Sequence, residues 1–202
     1  MDTKEQEILV KAAELFSKYG IKSMNMDDIS RQLGISKKTL YQYVDNKKDL
    51  VKKSIELHIN HEQCCMKDVL NEEDNAIDEL LKMTKMVGSQ VKEMHPSIIY
   101  DLKKYHAEAY KCLTNHRNLF VYEKIKRNIE KGVKSGLYRQ NINPEILTRL
   151  YLSMVNVILD PESNSLSDFT NEEIYTEMVR YHIKGIASND GRTYLKQKFK
   201  QD

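Results

Sequence analysis

Apolar residues recur along this chain at steps of three and four, the period that draws one stripe on an α-helix. From Thr3 to Tyr19 the stripe is Ile8, Leu9, Ala12, Leu15, Phe16 and Tyr19, with Thr3 as N-cap, Gln6 three residues on and Gly20 as the terminating residue. "NMDDISRQLG" reads as a short second helix. Asn25 caps it, Asp27 and Asp28 suit the positive end of its dipole, and Ile29 and Leu33 face inward before Gly34 stops it. A third helix follows its cap Ser36, with Leu40 and Val44 inward. Asp45-Asn46 then breaks the pattern and caps a fourth helix from Lys47, which carries Leu50, Val51, Ile55 and Ile59 past Cys65.

Beyond Asn71 the period persists. "AIDELLKMTKMVGSQVKEM" and "SIIYDLKKYHAEAY" are amphipathic segments either side of a break at His95-Pro96, and Val121, Ile125, Ile129 and Val133 lead to a stop at Gly136. Asn143-Pro144 opens a helix with Leu147, Leu150, Tyr151, Met154, Val155 and Ile158 on one face. A polar loop, "DPESNSLSD", precedes a last helix capped by Thr170 and bearing Ile174, Met178, Tyr181 and Ile186. The pattern predicts an all-α protein of about nine helices. A small N-terminal three-helix domain (1–46) holds a helix-turn-helix, the helix from Lys47 links it onward, and a larger C-terminal helical bundle (47–202) follows. Seven glycines and three prolines in 202 residues agree with long helices.

Leu33-Gly34-Ile35-Ser36 is the turn of that helix-turn-helix, with Gly34 supplying the left-handed backbone. The helix after it presents bare amides at its N-terminus, which attract phosphate. Lys37, Lys38, Thr39 and Gln42 lie away from Leu40, where they reach base edges in a major groove. Tyr41 and Tyr43 reach phosphates at the groove walls, and Lys47 and Lys48 add charge where the next helix begins. Net charge is only +2, from 32 Lys and Arg against 30 Asp and Glu, so a nucleic-acid surface must come from local clustering.

Residues 8–55 resemble the N-terminal domain of the TetR family of transcriptional regulators. The likeness rests on "AAELFSKYG" and "MDDISRQLGISKKTLYQYVDNKKDL", with Phe16, Gly20, Ile29, Leu33, Gly34, Ser36, Thr39, Leu40, Tyr41, Lys47 and Leu50 on the family's pattern. Asn25 stands where Thr is usual, Tyr43 where His is frequent and Val44 where Phe is commoner. The resemblance implies a homodimer that binds a palindromic operator in double-stranded DNA and represses, releasing it when a small-molecule effector enters the C-terminal domain. It places Lys37, Lys38, Thr39 and Gln42 at bases and Asn25, Tyr41, Tyr43 and Lys47 at phosphates. It puts the dimer surface on the last two long helices, with Met154, Ile158, Met178, Tyr181 and Ile186 as candidates. An activator or a ligand-independent regulator is the alternative sense.

The remaining chemistry is thinner. His95, Tyr100, His106, Tyr110, Tyr122 and Tyr151 are candidate polar groups for an effector pocket. His58, His61, Glu62 and Cys65 share one helical face, but one helix alone does not close a tetrahedral metal site, so no metal is expected. Cys64, Cys65 and Cys112 show no CxxC pair and read as reduced, packed thiols. No Glu is followed three residues later by His, which argues against a di-iron bundle enzyme. No Gly-rich phosphate loop is present either, so neither catalysis nor a cofactor is expected. The opening MDTKEQE and the lack of a long apolar run predict a cytoplasmic protein without a membrane span.

Overall fold

The computed structural model describes residues 3–71, 73–159, 166 and 168–199; most of the polar loop expected over 160–168 lies outside them. Among the described residues there are eleven α-helices and one π-helical turn. They are α1 (Thr3–Tyr19), α2 (Met26–Gln32), α3 (Lys37–Leu40), α4 (Lys47–Val69), α5 (Ala76–Glu93), α6 (Ile98–Tyr105), α7 (Ala107–His116), the π turn (Arg117–Val121), α8 (Tyr122–Lys134), α9 (Pro144–Leu159), α10 (Asn171–Ile186) and α11 (Asn189–Lys198). The chain is all-α, with more helices than the expected nine for three local reasons. The segment "SIIYDLKKYHAEAY" is interrupted where His106 takes φ −134°, ψ 58°. The π turn precedes α8, and Ser188, whose hydroxyl accepts from the Gly191 amide, caps a further helix after α10.

The packing forms two compact units. The first has described residues 3–65 and 93–116, so α6 and α7 pack with the helix-turn-helix and the first part of α4. Ile8, Leu9, Ala12, Phe16, Ile29, Leu40, Val44, Leu50, Val51, Ile99 and Leu102 are buried in it. This division differs from the expected split at residue 46, because the first part of α4 and all of α6 and α7 pack with the helix-turn-helix. α1 is fixed to the start of α6 by bonds from the His95 amide to the Ser17 carbonyl (2.9 Å) and from the Lys22 amide to the Asp101 carboxylate (2.9 Å). Gly20 turns there at φ 80°, and a Cβ on it would stand 2.9 Å from the Ser97 hydroxyl oxygen.

The second unit holds α5, α8, α9, α10 and α11 around Ile77, Leu80, Met83, Ile125, Ile129, Tyr151, Val155, Met178 and Ile183. Tyr138 is the wedge at its base. Its hydroxyl lies 3.0 Å from the Ala76 carbonyl and from the Asn128 side-chain oxygen, and the Asn128 amide donates to Ala76 at 2.8 Å. The ring fits only because residue 132, facing it from α8, has no side chain: a Cβ there would meet Tyr138 at 2.0 Å.

Alanine in a helix interior ordinarily gains about 1 kcal/mol over glycine. Gly132→Ala should do the reverse and cost about 1–3 kcal/mol, because the overpacked ring has to move. Urea unfolding of the two proteins checks this; an equal or higher midpoint for the variant would contradict the wedge.

Candidate nucleic-acid interface

The helix-turn-helix is built by reciprocal caps. Asn25 accepts from the amides of Asp27 and Asp28, both at 2.9 Å, while Asp28 accepts from the Asn25 amide at 3.3 Å, which closes a capping box at the N-terminus of α2. Gly34 turns the chain at φ 67° with open space where a side chain would be. Ser36 then caps α3 by accepting from the Thr39 amide at 3.0 Å. α3 is shorter than the periodicity implied, a single turn of four residues. Bonds from Gln42 to Thr39 and from Tyr43 to Leu40, both 3.1 Å, continue it in the tighter three-residue winding.

Leu40 and Val44 are fully buried, so the opposite side of this turn must face out. Lys37, Lys38, Tyr41 and Gln42 are exposed there, and Thr39 and Tyr43 are half-buried. The Thr39 hydroxyl is already 2.8 Å from that of Ser36. Lys37 is not idle either: its ammonium reaches Asp27 on α2 at 2.9 Å, and the hydrogen bond and charge of that carboxylate raise its pKa. Lys37 therefore ties α3 to α2, and its ammonium reaches another acceptor only by giving up that partner. The tie spans ten positions, too far for any local motif to show.

At the far end, Lys53 donates to the Tyr43 carbonyl at 2.7 Å and pairs with Asp49 and Glu5 at 3.3 and 3.5 Å. This lysine, unmarked in the sequence reading, joins the end of the α3 turn to α4 and α1. Asn46 caps α4 by accepting from the Asp49 amide at 3.1 Å, and the Asp49 carboxylate accepts from the Asp45 amide at 3.0 Å. Lys48 is exposed, while Lys47 is half-buried. Burial pulls the Lys47 ammonium below its ordinary pKa, with the Asp101 carboxylate opposing the shift.

The six residues considered for an effector pocket do not form one cluster in either unit. His95, Tyr100, His106 and Tyr110 belong to the first and Tyr122 and Tyr151 to the second. His95 bonds Ser97 at 3.0 Å, and Tyr100 takes a bond from Lys104. Tyr122 donates to Glu145 among Lys126 and Arg149. Tyr151 alone is in the core of the second unit, with two residues the sequence reading passed over. Its hydroxyl is 3.5 Å from that of Tyr175, and its ring centre is 4.9 Å from that of His182. His182 Nε2 has no hydrogen-bond partner among the described residues, and burial pulls the imidazole down to about 4. Tyr175, Met178 and His182 recur at three and four, a stripe that an apolar count misses because His is scored as polar.

Of the residues named for a dimer surface, Ile158, Met178 and Ile186 are buried within the protomer's own second unit and are not available to a partner. Met154 is half-buried and Tyr181 is 75% exposed. The outward apolar side of α9 is instead Ile146, Leu150 and Val157. On α4, His61 and Cys65 approach each other at 3.6 Å while Glu62 is buried 3.4 Å from His116. No group of three His, Cys, Asp or Glu side chains among the described residues is arranged for a metal ion. No described helix is long and apolar enough to cross a membrane.

Residues 8–53 match the family described as "Bacterial regulatory proteins, tetR family". Over 189 residues, 92% of this chain and 97% of the other, the sequence is 27% identical to the HTH-type transcriptional regulator YvaF of Bacillus subtilis (strain 168). A 57-residue stretch, 28% of this chain and 31% of the other, is 37% identical to IcaR of Staphylococcus epidermidis, the HTH-type negative transcriptional regulator of the biofilm operon icaADBC. The fold matches a transcriptional regulator from Cytophaga hutchinsonii ATCC 33406 with a TM-score of 0.70, at 21% identity over 93% of this chain and 100% of that one.

His182 yields a pH test. The unfolded imidazole takes a proton near its ordinary 6.5, whereas the folded one resists until about 4. Its contribution to stability is therefore complete above pH 6.5 and is lost as pH falls toward 4, by up to about 3 kcal/mol. The urea midpoint should fall less over this range in His182→Phe than in the wild type; parallel curves would show that the ring is not held neutral by burial.

Proposed function

We propose that the chain is a helix-turn-helix transcriptional regulator of the TetR family, acting as a homodimeric repressor that leaves a palindromic operator when a small molecule enters its second unit. One observation carries the DNA reading: α3 and the turn that continues it bury Leu40 and Val44 while Lys38, Tyr41 and Gln42 are turned outward. Lys38 and Gln42 read base edges, with Lys37 joining them once it gives up Asp27. Thr39 contributes its methyl side, since its hydroxyl is held by Ser36. Asn25, Tyr41, Tyr43, Lys47 and Lys48 hold the sugar-phosphate walls. The name of IcaR, a negative regulator, favours repression as the sense.

The dimer pairs α9 and α10, whose outward sides expose Ile146, Leu150, Val157 and Tyr181. The effector site is the Tyr151, Tyr175 and His182 group. An unpaired imidazole nitrogen among apolar side chains suits a mostly apolar, uncharged molecule with one hydrogen-bonding group. Such a molecule releases DNA only if it binds the DNA-incompetent form more tightly. The protein acts in the cytoplasm and performs no catalysis.

Selection from a random-sequence duplex pool with the full-length chain should return a palindrome bound by two protomers. On that duplex Lys38→Ala should weaken binding by about 1–3 kcal/mol and relax preference at one base pair per half-site. Lys47→Ala should weaken all sequences alike and reduce the salt dependence. Wild-type affinity and preference in both variants, measured by fluorescence anisotropy, would remove α3 as the reading element.

A further inference from the structure

Away from α3, the first unit gathers positive charge that no carboxylate receives. The Lys22 ammonium, in the turn between α1 and α2, lies 5.4 Å from the centre of the Tyr105 ring, and Lys104 on α6 lies 5.6 Å from the same ring. Lys104 is also 4.9 Å from the Tyr100 ring and donates to its hydroxyl, while the two tyrosines meet edge to face at 6.5 Å. Both lysines are exposed, and neither ammonium has a carboxylate partner among the described residues. One aromatic face attracts each ammonium weakly, but two ammonium groups on one ring repel each other. An anion bound close to both offsets that repulsion.

The position of this pair indicates which anion. Lys22 precedes the α2 cap Asn25 by three residues, and its amide is held by the buried Asp101 at 2.9 Å. Asp101 is close enough to act on the charges of Lys47 and His106, and Lys47 and Lys48 act on His106 in turn. One buried carboxylate thus draws together the α1–α2 turn, the end of α6 and the N-terminus of α4. Lys22 and Lys104 therefore belong to segments that adjoin Asp101, as the N-terminus of α4 does.

We propose that Lys22 and Lys104, both beside the Tyr105 ring, form a second phosphate-binding ledge that grips the DNA backbone flanking the half-site read by α3. The inference rests on the DNA-binding reading above. It adds that α6 touches DNA directly, so the footprint extends past the bases that α3 reads. Such contacts carry no sequence information and act through counterion release.

The test uses the full-length chain and the selected palindrome in two duplexes, one ending at the edge of the site and one carrying ten further base pairs on each side. Affinity is measured across KCl concentration for the wild type, Lys22→Ala/Lys104→Ala and Lys22→Arg/Lys104→Arg, with helical content checked by circular dichroism. On the longer duplex the alanine pair should lower the salt slope by about 2 per protomer and weaken binding about tenfold or more at low salt. On the short duplex it should match the wild type, and the arginine pair should match the wild type on both. Should the alanine pair lose helical signal, Lys22→Gln/Lys104→Gln replaces it. An unchanged slope on the longer duplex overturns the ledge, and so does an equal loss on both duplexes, which would mean a general field effect. A wild type that binds neither duplex would instead overturn the DNA reading itself.

Discussion

Everything in the helix-turn-helix depends on burying Leu40. A helix of one turn has no stability of its own, because nucleation costs more than its few hydrogen bonds return. α3 exists because Leu40 and Val44 are withdrawn from water, at about 1.5–3 kcal/mol for each fully buried side chain, while Ser36 satisfies the amide that the first turn leaves open. With one side of so short an element committed inward, Lys38, Tyr41 and Gln42 have nowhere to go but out. The outward chemistry is a consequence of the inward anchor.

The charge arrangement follows the same economy of place. A net charge of +2 provides no general attraction for a polyanion. Positive groups are instead collected at helix N-termini, where backbone amides already favour an anion, and the acidic residues nearby serve as caps or ties. Asp28 and Asp49 close caps, Asp27 holds Lys37, and Asp101 is buried against a backbone amide. Each of these carboxylates has its charge answered within the protein, which leaves the lysines of the outer rim as the local field.

Much of this architecture was legible in the chain. α1 runs from Thr3 to Tyr19 as its stripe and its glycine implied, and the Asn25, Ser36, Asn143 and Thr170 caps bond as their spacing required. The break at His106 was not legible, because neither glycine nor proline marks it and the apolar stripe runs through. α3 was read as longer than it is, since periodicity cannot distinguish an α turn from the tighter winding that follows. The inner side of α10 was misjudged: Tyr175 and His182 point inward, whereas Tyr181 is outward and Ile174 only half-buried. The Asp27 tie on Lys37 and the Asp101 anchor join residues 10 and 79 positions apart, and such pairings appear only once the helices are packed.

The central claim is that α3 occupies the major groove in two symmetric copies. Guanine N7 lies in that groove, so dimethyl sulfate footprinting of the wild-type complex on its selected duplex addresses the claim without any substitution. The account predicts two protected guanine clusters centred about 10–10.5 base pairs apart, or a multiple of that. Saturated binding with N7 reactivity unchanged throughout the site would contradict it.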